Sequence, residues 1–202
     1  MIISMCNSYE HTIVITNRHL VQGDFLKQLE KVTKLHPHAL ILREKDLTDD
    51  AYESLAKKVF DLCKRKNITC FLHTKIEIAR KIGCKNIHLS IPVLKGLSET
   101  EKKALTEDFC EISISCHSME DVEAAMAGGA TQIILGTIFE TECKKGVLGK
   151  GVEFVREICQ KCPLPVYAIG GMNLQRLPLV IDAGAAGCCM MSGFMQTTKP
   201  LQ

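Results

Sequence analysis

Met126-Ala127-Gly128-Gly129-Ala130 closes a helix-like run and leads, two residues later, into the apolar run Gln132-Ile133-Ile134-Leu135-Gly136. The same join recurs as Lys81-Ile82-Gly83-Cys84 and as Asp182-Ala183-Gly184-Ala185-Ala186-Gly187, each ahead of another apolar run. Glycine at such a place ends a helix in the left-handed conformation. A repeated helix-to-strand join predicts strands alternating with helices. Eight short runs rich in Ile, Val and Leu keep that rhythm: 12–16, 39–43, 69–73, 86–89, 111–116, 132–136, 165–169 and 187–191. Eight strands with helical crossovers favour a closed parallel (β/α)8 TIM barrel over an open doubly wound sheet.

Helix starts support the alternation. Thr48-Asp49-Asp50 precedes Ala51, Leu55, Val59 and Leu62 at helical spacing, Ser98-Glu99-Thr100-Glu101 reads as a capping box, and Ser118 caps a run with Glu120 and Asp121 in its first turn. Pro178 follows the cap candidate Asn173 by several residues, so that helix begins late or kinks. Only residues 194–202 remain after the eighth strand and its loop, which predicts a short or missing last helix. A partner copy, making a homo-oligomer, is one expected cover for that end.

The 202 residues carry 25 Lys+Arg against 23 Asp+Glu, a net charge of +2, with 46% apolar and 24% charged residues. This composition predicts one globular domain over 1–202. No run approaches the roughly eighteen apolar residues of a membrane span, and residues 1–11 lack the basic and apolar regions of a signal peptide, so a cytoplasmic location and no membrane partner are expected. Scattered basic residues, no Trp and 5% aromatic content argue against a nucleic-acid partner. A small-molecule ligand is the remaining class. The 11 cysteines are odd in number and irregular in spacing. Cys70, Cys116, Cys188 and Cys189 sit in apolar runs, where a reduced thiol packs as a small hydrophobe. Cys159 and Cys162 form a lone pair before Pro163 with no second pair to complete a zinc site, so no bound metal is expected.

A (β/α)8 barrel carries its chemistry on the loops after its strands. In Glu111-Ile112-Ser113-Ile114-Ser115-Cys116-His117-Ser118, strict alternation places Ser113, Ser115 and His117 on the face opposite Ile112, Ile114 and Cys116. The apolar face meets the helices, so His117 projects inward at the mouth as a general acid/base candidate; a structural histidine bonded to the backbone is the alternative. Arg43 and Lys45 share a face at the end of the second strand and can bring two cations to an anionic ligand. Ile169-Gly170-Gly171 and Met191-Ser192-Gly193 follow the last two strands, where barrels frequently bind phosphate through backbone N–H groups. The loop 139–151 is polar and glycine-rich and reads as a lid, with Thr141 and Lys144 as ligand candidates.

Arg43-Glu44-Lys45, Ser115-Cys116-His117, Gly136-Thr137-Ile138-Phe139, Thr141-Glu142-Cys143-Lys144 and Ile169-Gly170-Gly171-Met172 follow one another as in the thiamine phosphate synthase/TenI superfamily, which the chain resembles from the first strand to the eighth. The piece 139–146, with Gly149-Lys150-Gly151-Val152 after it, is similar to the TenI branch, which the resemblance implies to be thiazole tautomerases. Where the synthases carry an Asn-Asp pair this chain has His73-Thr74, and where a second Asp is expected it has His88-Leu89-Ser90-Ile91-Pro92-Val93. Ile41 stands at the usual Gln. The resemblance therefore implies isomerisation of the ylidene form of carboxythiazole phosphate to its aromatic tautomer. On that reading His117 moves the proton and Gly170, Gly171, Met191, Ser192 and Gly193 hold the phosphate. Arg43, Lys45, Thr141 and Lys144 face the rest of the substrate, and no cofactor is needed. Two alternatives stand beside it: a thiamine phosphate synthase, which would need magnesium, and a non-catalytic regulatory barrel that binds a phosphorylated ligand.

Overall fold

The computed structural model describes residues 8–141, 146 and 148–196. Eight parallel strands close into a barrel in chain order: β1 (Thr12–Ile15), β2 (Ala39–Leu42), β3 (Thr69–His73), β4 (Asn86–Ser90), β5 (Glu111–Cys116), β6 (Gln132–Gly136), β7 (Val166–Ile169) and β8 (Gly187–Met190). Closure is made by β1 against β8, with Thr12 opposite Cys188, Ile13 opposite Cys189 and Val14 opposite Met190. The expected strands are all present, with ends within one residue of their predicted positions.

Alternation along each strand divides the apolar residues between two cores. Ile13, Ile15, Ile41, Phe71, Ile134 and Tyr167 pack inside the lumen. Val14, Leu40, Leu42, Leu72, Ile114 and Cys188 face outward into a larger core beneath the helices. Each such fully buried aliphatic side chain contributes about 1.5–3 kcal/mol of burial free energy.

The helices are α1 (Phe25–Thr33), α2 (Asp49–Lys66), α3 (Ile76–Ile82), α4 (Ile91–Gly96), α5 (Glu99–Asp108), α6 (Met119–Ala127), α7 (Gly151–Lys161), α8 (Leu177–Asp182) and α9 (Ser192–Met195). Thr48 caps α2, Ser98 and Glu101 form the reciprocal box on α5, and Ser118 caps α6. At the three glycine joins, Gly83, Gly129 and Gly184 take positive φ, so in the Gly128-Gly129 pair the second glycine makes the left-handed turn. Pro178 is accommodated by a late start. Asn173 Oδ1 accepts from the Arg176 backbone N–H at 2.9 Å in a preceding turn, and α8 begins at Leu177 with proline in its first turn, where no N–H is required.

The helix after β8 is short, as expected. Phe194 and Met195 of α9 are buried, and Gln28 Nε2 of α1 donates to the Phe194 carbonyl at 2.6 Å. The nine cysteines among the described residues are free thiols, with Cys70, Cys116, Cys188 and Cys189 buried. Among the described residues no helix is long and apolar enough to cross a membrane.

Candidate active site at the barrel mouth

His117 is the first residue beyond β5. Its backbone N–H donates to Asp121 Oδ2 at 2.8 Å, and its carbonyl accepts from Lys150 Nζ, so the main chain is pinned on both sides. The imidazole reaches across to β6, where Nδ1 lies 2.7 Å from the Gly136 carbonyl. A carbonyl only accepts, so Nδ1 carries the hydrogen and the neutral ring presents its lone pair at Nε2. A side chain oriented by one ring nitrogen and basic at the other is arranged for proton transfer.

Gly136 continues into Thr137, which touches the next strand. The Ile138 N–H donates to the Ile169 carbonyl at 2.9 Å and the Phe139 N–H to the Gly170 carbonyl at 3.1 Å, which lays the β6 loop along the end of β7. A Cβ on Gly170, at φ +102°, would lie 2.4 Å from Thr137 Cγ2. Loop packing by itself therefore demands glycine at this position. Arg176 donates to the Gly171 carbonyl at 2.5 Å and stacks its guanidinium on Phe139 at 4.5 Å. After β8, Ser192 and Gly193 are exposed, their backbone N–H groups have no acceptor among the described residues, and a Cβ on Gly193 would meet nothing within 4 Å. Met191, half-buried, carries the chain into that turn.

On the β2 side, Arg43 is half-buried and Lys45 exposed. The Arg43 N–H donates to Thr16 Oγ1 at 2.9 Å, and the Thr16 hydroxyl donates to Glu44 Oε1 at 2.7 Å. Glu44, only 2% exposed, also accepts from the Arg18 backbone and guanidinium at 3.1 Å. Asp46 accepts from Arg18 and, at 2.9 Å, from His19, and the Arg18 hydrogen bond holds its carboxyl well below the usual carboxylate range. Both carboxylates at this rim are therefore matched. The Arg43 guanidinium has no ion-pair partner among the described residues.

Sequence reading overlooked the floor of the mouth. His88 of β4 lies inside the lumen with Nδ1 2.9 Å from Ser113 Oγ and Nε2 2.9 Å from Ser115 Oγ, both on β5. His73 stands beside it, ring centroids 5.6 Å apart. The period of two in Asn86-Ile87-His88-Leu89-Ser90 is the signal that could have found His88. Thr141 is half-buried, while Lys144 and the rest of positions 142–145 and 147 of the predicted lid lie outside the described residues. No three His, Cys, Asp or Glu side chains among the described residues gather closely enough to hold a metal.

Burial pushes His73 down to about 4, with the charges of Arg43 and Lys45 adding to the effect. Burial likewise pushes His88 down to about 3, with His73, Arg43 and Lys45 contributing. The unfolded chain therefore binds more protons than the fold between about pH 6.5 and pH 4, so stability falls as the pH is lowered through that window and is unaffected above it. Urea unfolding at stepped pH should show a loss on the order of 1 kcal/mol per pH unit for each of the two groups, reduced by half in His73→Asn. A flat profile between pH 6.5 and 4.5 contradicts the buried neutral pair.

Residues 12–194 match the family model described as thiamine monophosphate synthase. A putative thiamine-phosphate synthase 2 from Aquifex aeolicus is 30% identical over 182 residues, covering 90% of this chain and 96% of that protein. A thiamine-phosphate synthase from Coprothermobacter proteolyticus is 31% identical over 180 residues, covering 89% of this chain and 84% of that protein. Among solved structures, thiamine phosphate pyrophosphorylase from Pyrococcus furiosus superposes with a TM-score of 0.81 at 21% identity, covering 95% of this chain and 90% of that one, a likeness of fold.

Proposed function

The chain belongs to the thiamine monophosphate synthase/TenI family, and from that premise we propose that it is a thiazole tautomerase, converting the ylidene form of carboxythiazole phosphate into its aromatic isomer by proton transfer at His117. The observation that carries this reading is the donor set of the mouth. An oriented imidazole stands there with a guanidinium that has no ion-pair partner among the described residues, while β3 and β4 end in His73-Thr74 and His88-Leu89-Ser90, without a carboxylate. Glu44 and Asp46 are already engaged by Arg18. A magnesium ion with a diphosphate requires hard oxygen donors, carboxylates above all, and these residues do not fit it.

In the proposed step, Nε2 of His117 takes the ring proton next to the substrate carboxylate and the electrons move through the ring toward the exocyclic carbon. The resulting imidazolium returns a proton to that carbon, so the isomerisation is balanced and the ring becomes aromatic. Nδ1–H remains on the Gly136 carbonyl throughout, which holds the ring plane while charge appears on it. Arg43 and Lys45 neutralise the carboxylate, and the backbone N–H groups at Gly170, Gly171, Ser192 and Gly193 receive the single phosphate, with Met191 shaping that turn. Thr141 and Lys144 are assigned to ligand binding. A homo-oligomer and a cytoplasmic location belong to the same proposal.

The names of the relatives favour a second reading, a synthase joining thiazole phosphate to aminopyrimidine diphosphate. Parallel assays separate the two. Purified protein should accelerate formation of the aromatic carboxythiazole phosphate from its ylidene isomer, and should release no diphosphate from the pyrimidine, thiazole and magnesium mixture. Diphosphate release without isomerisation reverses the assignment. Neither activity leaves a ligand-binding barrel.

A further inference from the structure

Ser113 is fully buried, and its side-chain oxygen has one hydrogen-bond partner among the described residues, His88 Nδ1. Its register partner on β6 is Gln132, whose side chain makes no hydrogen bond to Ser113. Among the described residues the Ser113 hydroxyl hydrogen therefore finds a lone pair only on the imidazole. Leaving a buried hydroxyl hydrogen unpaired incurs the full desolvation penalty of that group, which selects one tautomer of the neutral ring. With Nδ1 accepting, the ring hydrogen sits on Nε2 and donates to Ser115 Oγ at 2.9 Å. Ser115 then accepts from the ring, and its own hydrogen turns away from it. Ser115 is half-buried and lies two residues before His117 on the same face of β5.

We propose that Ser113 and His88 are positioning residues that fix the Nε2–H tautomer and thereby aim the Ser115 hydroxyl hydrogen into the mouth as a donor to the carboxylate of the ligand. The opposite tautomer would have Ser115 donate to the ring and turn its lone pairs to the ligand, a surface that repels an anion. A tautomer chosen from inside the lumen thus sets the sign of the partner that the mouth accepts. The identity of the carboxylate ligand rests on the tautomerase reading; the direction of the hydrogen-bond chain does not.

The test begins without substrate. The full chain, labelled with nitrogen-15 in histidine and assigned with His88→Gln, should show His88 protonated at Nε2 and bare at Nδ1 at neutral pH in a long-range proton–nitrogen correlation. Protonation at Nδ1 overturns the proposal. Calorimetry then compares aromatic carboxythiazole phosphate with thiazole phosphate lacking the carboxylate. Ser115→Ala should weaken the first about tenfold and leave the second unchanged. Ser113→Ala should mix the His88 tautomers and show the same selective loss, while Ser113→Thr, which keeps the hydroxyl, should restore both. Equal weakening of the two ligands, or none, defeats the proposal. The diphosphate and isomerisation assays decide the tautomerase reading separately, since none of these measurements requires turnover.

Discussion

His117→Asn is expected to slow isomerisation by about 10²–10⁴-fold while KM stays within a few-fold of its original value. The substitution is chosen for its geometry. An asparagine amide can still donate to the Gly136 carbonyl that Nδ1 meets at 2.7 Å, so the rim keeps its shape, but nothing basic remains where Nε2 stood. His117→Ala, lacking both, should be no faster. Initial rates of aromatic product formation at several substrate concentrations give the two parameters. If the asparagine variant keeps more than a tenth of the original rate, His117 is a structural histidine after all and the acid/base assignment is lost.

Gly187→Ala should be the most damaging single-methyl change to the fold. A Cβ there would lie 2.0 Å from the His11 carbonyl oxygen, 2.8 Å from its carbon and 3.2 Å from its Cα, all backbone atoms that no side-chain rotation can clear. His11 leads directly into β1, and its Nδ1 lies 3.1 Å from the Ala186 carbonyl, so the clash falls on the seam where β8 pairs with β1. Forcing the strands apart there opens the barrel. The expected loss is about 3–5 kcal/mol, which for a chain of this size lowers Tm by about 10 °C. Gly193→Ala is the matched control for stability, because its Cβ would meet nothing within 4 Å, and it should move Tm by no more than about 2 °C. Equal melting of the two variants would show that the seam tolerates separation.

Strand positions were legible because they depend on local pattern. The parity of Ile112, Ile114 and Cys116 in the outer core places Ser113 and Ser115 inside the lumen, and the same count carries on to His117 at the rim. What stayed hidden depends on which strands become neighbours and at what register. His88 gains its meaning from lying opposite Ser113 on β5, 25 residues later. Glu44 stands in the sequence between two cations, and nothing local shows that Arg18, from the loop after β1, covers it and leaves it 2% exposed. Asp121 looks like an ordinary first-turn acid of α6, and its contact with the His117 N–H emerges only once Ser118 has set the start of that helix.

The division of the apolar residues by the sheet has an evolutionary consequence. Most of the burial that holds this chain together lies outside the barrel wall, while the lumen contributes a compact cluster bordered by the polar side chains of the mouth. Exchanging a few lumen residues therefore risks only a small part of the stability of the whole. Lineages built on this scaffold can lose one reaction and acquire another by drift in the lumen alone, with the outer shell acting as a reservoir of mutational tolerance.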